Sequence, residues 1–160
     1  MEKVVINATV LIFLAKIGKL EFLNVYDVIM TTSEVYTEVV DAKEISFHEK
    51  NILIKFFDNK IKIENPKKIK ELMLGKGETS ALSLCSEKNI LIFLSDDKKA
   101  RRQAGLLSLQ VIGTIGIILE NVKQKKVTKE QAEQTLFLLI QNSYYISTDV
   151  YAHVLALLHQ

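Results

Sequence analysis

The sequence predicts an α/β fold, a three-layer α/β/α sandwich around a central, mostly parallel sheet. Three observations lead there. Short apolar runs alternate with longer segments of helical periodicity, as strands and crossover helices do. The clearest run, Ile90 to Leu94, is continuously apolar, the pattern of a strand covered on both faces. Polar residues follow the runs directly, where a parallel sheet presents its carboxyl ends.

The elements follow in order. Lys3 to Ile6 reads as a buried strand ended by Asn7, and Thr9 opens a helix carrying Val10, Leu11, Leu14 and Ile17 before Gly18. Leu20 to Asn24 is a helical turn, and Val28 to Met30 a second strand. Thr32-Ser33-Glu34 has cap chemistry and starts a helix with Val35, Tyr36, Val39 and Val40 inward. Phe47 to Phe57 is helical, Ile61 to Ile63 a short edge strand, and Pro66 suits the first turn of a small helix. Gly75-Lys76-Gly77-Glu78 is a turn opening a helix with Ala81, Leu82, Leu84 and Cys85. It lacks the lysine and hydroxyl pattern of a phosphate loop. After the Ile90–Leu94 strand and Asp96-Asp97 comes a helix from Ala100 to Leu107. A strand from Gln110 to Ile112 then passes through Gly113-Thr114 into a helix through Ile117 and Val122. Two more helices, Thr128 to Gln141 and Thr148 to Leu158, close the chain.

Length and composition fit one domain over residues 1–160. With 48% apolar and 25% charged residues, one proline and six glycines, the chain can build a core and shows no disordered tract. No signal peptide or membrane span is read, which implies a cytoplasmic protein. The lone Cys85 cannot form an internal disulfide and reads as a buried, inert thiol. A net charge of +2 says nothing about nucleic acid, although Lys98, Lys99, Arg101 and Arg102 form a local basic cluster. His48, His153 and His159 are scattered on helices and carry no catalytic pattern, and Tyr144-Tyr145 reads as packing rather than base stacking.

The chemistry lies in the acids. Asn7 and Thr9 follow the first strand and Asp96-Asp97 the fourth, while Glu38 and Glu78 lie on helices that can reach the same rim. Two carboxylates about 5 Å apart repel by roughly 3 kcal/mol at an effective dielectric of 20, so such a cluster shares protons or holds a cation. Oxygen donors without histidine or cysteine suit Mg²⁺ or Mn²⁺, and suit phosphoryl chemistry better than zinc chemistry.

Five motifs in order carry a family resemblance. They are Val4-Val5-Ile6-Asn7-Ala8-Thr9-Val10-Leu11-Ile12 with Leu14-Ala15-Lys16-Ile17-Gly18, then Glu34-Val35-Tyr36-Thr37-Glu38-Val39, and Gly75-Lys76-Gly77-Glu78-Thr79-Ser80-Ala81-Leu82. Leu94-Ser95-Asp96-Asp97-Lys98-Lys99-Ala100-Arg101 and Val111-Ile112-Gly113-Thr114-Ile115-Gly116 complete the set. Over nearly its whole length the chain resembles a PIN domain, in a prokaryotic branch close to the VapC-type toxin ribonucleases.

The resemblance implies a rim of acids binding one or two Mg²⁺ or Mn²⁺ ions and cleaving single-stranded or structured RNA. The family's first acid, usually aspartate, falls on Asn7. The others fall on Glu38, Glu78 and Asp97, with Asp96 adjacent and Thr9 as the supporting hydroxyl. Metal ligands would then be Asn7, Glu38, Glu78, Asp96 and Asp97, with Glu38, Glu78 and Asp97 catalytic. Lys98, Lys99, Arg101 and Arg102 become RNA phosphate contacts. A homodimer and an antitoxin partner are also implied, with Val154, Leu155 and Leu158 as candidates for the pairing face. Asn7 departs from the pattern. An amide oxygen can bind a hard ion but brings no charge, so the alternative is a weakened PIN-like domain that binds RNA or a protein partner.

Overall fold

The computed structural model describes residues 2–160. Five strands, β1 (Lys3–Ile6), β2 (Val28–Thr31), β3 (Ile61–Ile63), β4 (Ile92–Leu94) and β5 (Gln110–Ile112), form one sheet in the order β3-β2-β1-β4-β5. Every pairing is parallel, with Val4 level with Ile29 on one side and with Ile92 on the other. Val4, Val5 and Ile6 are fully buried, as the central strand of a sheet covered on both faces requires.

The helices are α1 (Ala8–Lys16), α2 (Ser33–Val40), α3 (Phe47–Lys60), α4 (Lys76–Lys88), α5 (Lys98–Leu106), α6 (Thr114–Lys123), α7 (Lys129–Gln141) and α8 (Thr148–Leu158). A 3-10 turn spans Leu20–Val25. Their starts are chemically marked. Thr32 caps α2 by accepting from the Val35 amide, and Ser46 and Thr128 open α3 and α7 with reciprocal capping boxes. Leu11, Leu14, Leu53, Leu82, Ile117 and Leu136 on the helices and Phe93 on β4 belong to one core, all essentially without solvent contact. Each such side chain contributes roughly 1.5–3 kcal/mol relative to exposure.

Chain order on the sheet reverses at β1: β2 lies on one side of it and β4 on the other. The carboxyl ends of β1 and β4 therefore flank the crevice where open parallel sheets take their ligands.

Several expectations change. Residues 64–75 form no helix after Pro66. The Lys67 amide donates to Glu87 and the Lys70 amide to the Ser83 hydroxyl, so side chains of α4 take groups a helix would need. β4 starts at Ile92 rather than Ile90, because Asn89 takes a left-handed φ of 54° and the Ile90 amide closes α4 onto the Cys85 carbonyl. α1 starts one residue before Thr9, with Asn7 at its N-cap position. Val154 and Leu158 are buried in the chain's own core, so the three residues expected to form a pairing face present only the half-buried Leu155. No helix among the described residues is long and apolar enough to cross a membrane.

Candidate metal centre

Asn7 stands at the carboxyl end of β1 and is fully buried. Its amide N–H donates to Leu94 across the sheet, and its side-chain Nδ2 donates to Ser95 Oγ at 3.1 Å. The side chain does not cap its own helix, and its Oδ1 has no protein partner. An unpartnered buried carbonyl costs on the order of 1–3 kcal/mol, so it marks a place built for something other than packing.

The loop after β4 is gripped from all sides. The Ser95 amide donates to the Ile112 carbonyl, and Ser95 Oγ accepts from both Asn7 and the Asp97 amide. Thr9 Oγ1 accepts from the Asp96 amide at 3.0 Å, which gives the supporting hydroxyl a definite task. Asp96 and Asp97 then diverge. Asp97 accepts from the Ala100 amide through Oδ1 and so caps α5, while its other oxygen has no protein donor. Asp96 is engaged through both oxygens: Oδ1 accepts from the Thr114 amide and from the Tyr144 hydroxyl at 2.7 Å, and Oδ2 accepts from Thr114 Oγ1 at 2.6 Å. It anchors the start of α6 and the chain before α8 to the β4 loop. Burial, together with the charge of Asp96 and the hydrogen bond to it, pushes the Tyr144 hydroxyl pKa far above its ordinary range, so Tyr144 stays a donor.

Glu38 and Glu78 reach the rim from α2 and α4. These helices are locked together where the Thr32 and Ser80 hydroxyls meet at 2.6 Å, with Ser80 donating onward to the Gly77 carbonyl. Glycine permits the close approach. A Cβ on Gly77 would stand 2.9 Å from Glu38 Oε2, and one on Gly75 would stand 2.7 Å from Glu78 Oε2. The Glu38 carboxyl is held above its ordinary 4.5, first by desolvation, then by the charges of Glu78 and Asp97. Glu38 thus feels the charges of Glu78 on α4, of Asp97 at the N-cap of α5, and, most weakly, of Glu44.

The basic cluster divides. Lys99 lines a cleft with Glu78 and Asp97, whereas Lys98 lines a separate groove with Tyr145. Arg101 donates to the Ser95 carbonyl and is part of the loop's scaffold, and Arg102 is exposed. Burial pushes the Cys85 thiol up to about 12, which leaves it unreactive.

A divalent cation suits this donor set. All candidate donors are oxygens, the carboxylates repel one another, and the buried Asn7 Oδ1 is unpartnered on the same rim. Among the described residues no three Asp, Glu, His or Cys side chains are already drawn into a tight cage. The field is shared at longer range, and the two glutamates bring the reach and freedom of long side chains.

Two outcomes test this geometry. Gly77→Ala should crowd the Glu38 carboxylate and weaken Mn²⁺ binding several-fold in calorimetry. Thermal stability should hold or rise slightly, since alanine favours a helix by up to ~1 kcal/mol over glycine. Glu38→Gln should stabilise the metal-free protein. A carboxyl with a raised folded pKa contributes stability that is complete below its unfolded pKa and is lost as pH rises through the folded one. The variant should therefore gain on the unaltered protein at pH 7 and lose that advantage near pH 4. Glu38 is largely solvated, so the gain is about 0.5 kcal/mol after screening, read from urea midpoints.

A family model described as a PIN domain matches residues 3–160. No curated protein matches the chain.

Proposed function

The chain belongs to the PIN-domain family, which has a nuclease fold and generally depends on divalent metal, and from that premise we propose that it is a metal-dependent ribonuclease hydrolysing RNA phosphodiester bonds. The observations that support this reading are that Glu78 and Asp97 line one cleft, that both raise the Glu38 carboxyl through their charges, and that the buried Asn7 Oδ1 at the end of β1 has no protein partner.

In this reading Glu38, Glu78 and Asp97 hold Mg²⁺ or Mn²⁺, with the Asn7 carbonyl as a neutral fourth donor. A divalent ion there supplies Lewis acidity toward the phosphodiester and its attacking water. Asp97 is aimed by its cap on α5 and by its amide bond to Ser95, so one oxygen stays free to face the cleft. Ser95 and Thr9 fix the loop carrying it. Asp96 serves in this scheme as the loop's anchor rather than as a ligand. Lys99 stands beside the acids, where it offsets phosphate charge as the strand enters. No histidine base is required.

The test is RNA cleavage by purified protein with Mn²⁺, compared with Glu78→Gln. Cleavage should be lost with the acid; activity unchanged by the substitution rules out this site. A role as the toxin of a toxin–antitoxin pair, in a VapC-like branch acting as a homodimer in the cytoplasm, is the biological form this activity would take. A small DNA-binding protein encoded next to the gene would support it.

Asn7 favours a second reading, a PIN-like domain with weakened cleavage that binds RNA or a protein partner. The rim keeps its shape in both readings, and they differ in whether three carboxylates and one amide hold the ion tightly enough for chemistry.

A further inference from the structure

The cleft that holds Glu78 and Asp97 has a second, chemically different wall. It encloses about 370 Å³ and is lined by Met73, Leu74, Gly75, Glu78, Asp97 and Lys99. Met73 is 96% exposed. Its neighbours Leu72 and Leu74 pack against the core, so the chain turns residue 73 outward between two inward leucines.

This segment is tied down on both sides of Met73. The Lys70 amide donates to Ser83 Oγ, Thr79 Oγ1 donates to the Leu74 carbonyl, and the Thr79 amide donates to the Gly75 carbonyl. A methionine fully exposed on an anchored stretch contributes nothing to the core. It does place a polarizable, adaptable surface at the edge of an acidic cleft, with a lysine on the same lining.

One apolar wall, one cation and an acidic floor match a nucleotide, which has a flat apolar base and an anionic phosphate. We propose that Met73 is the platform for the nucleobase beside the cleaved bond, and that Lys99 takes an adjacent phosphate. The inference rests on the ribonuclease reading and assigns one residue of this chain to the base beside the reacting bond. A base can lie on Met73 only when it is unstacked and unpaired, so a single strand engages the platform and a duplex does not. A thioether makes no directional hydrogen-bond pattern with base edges, so the platform accepts any base.

The test uses fluorescence anisotropy in Ca²⁺ with labelled oligouridylate, the same strand carrying an abasic position, and the strand annealed to oligoadenylate. Met73→Ala should weaken single-strand binding by about threefold to fivefold, below what an aromatic platform contributes. Met73→Leu should restore most of the affinity. The abasic strand and the duplex should bind the unaltered protein and Met73→Ala alike. Urea midpoints of both variants should match the unaltered protein, because the side chain touches solvent only.

Equal single-strand affinity for Met73→Ala and the unaltered protein overturns the platform and leaves the ribonuclease reading standing. An equal loss on all three ligands also overturns it, since the effect would not depend on the base. If the unaltered protein binds none of the three, both readings are overturned.

Discussion

Asp96→Ala should lower stability by about 3 kcal/mol, while its neighbour Asp97→Asn should leave stability within about 0.5 kcal/mol. The carboxylate of Asp96 accepts three hydrogen bonds, two from Thr114 and one from Tyr144, and one of the Thr114 donors is the backbone amide of the first α6 residue. Removing it leaves those donors without an acceptor in a half-buried site and takes an anion away from a helix start. For a domain of this size the change lowers the melting temperature by about 10 °C. Asp97 makes one structural bond, the cap on Ala100, and asparagine caps as well as aspartate. Thermal melts of the two variants separate the adjacent acids: equal destabilisation would contradict the division of roles.

Asn7→Asp should tighten Mn²⁺ binding by about 100-fold, or ~3 kcal/mol. A unit charge about 4 Å from a divalent ion is worth up to roughly 8 kcal/mol at dielectric 20, and loss of hydration offsets most of it. Without metal the effect has the opposite sign. A carboxylate replaces an amide at a fully buried position whose oxygen has no donor, which should cost about 2 kcal/mol. The Ser95 hydroxyl, which now accepts from Asn7 Nδ2, can turn to donate and recover part of that. The variant should melt below the unaltered protein in chelator and above it in excess Mn²⁺. A melting temperature that ignores Mn²⁺ in both proteins would place Asn7 outside any ion site. A gain in cleavage along with affinity would identify the natural amide as a brake on the site, as the weakened-domain reading holds.

The sheet was legible because its signal is local. Val4-Val5-Ile6 and the Ile90–Leu94 run that contains β4 are continuously apolar, and the helices between them carry both periodicity and caps. The missing helix after Pro66 was not legible, because the competitors for its amides, Ser83 and Glu87, lie one element later in the chain. Glu38 and Glu78 lie on the helices expected of them and Asp97 just past β4, and the charges of the last two raise the Glu38 carboxyl. The separate task of Asp96 was hidden. Its partners lie 18 and 48 residues away, and two adjacent aspartates look equivalent until the loop is folded. The role of Tyr144 was hidden for the same reason: packing was expected of it, and its ring does meet Phe13 edge-on, but its hydroxyl on Asp96 was not expected. Gly113-Thr114 was the available clue, since a hydroxyl at the first position of a helix invites an acidic partner.

The central claim is that Glu38, Glu78 and Asp97 form one divalent-metal site. Calorimetric titration of Mn²⁺ into the unaltered protein and into Asp97→Asn measures it most directly, because that variant keeps its helix cap and removes only the charge facing the cleft. Saturable binding by the unaltered protein, lost or weakened at least tenfold in Asp97→Asn at unchanged melting temperature, is the predicted result. Binding of equal affinity in both proteins, or in neither, would contradict it.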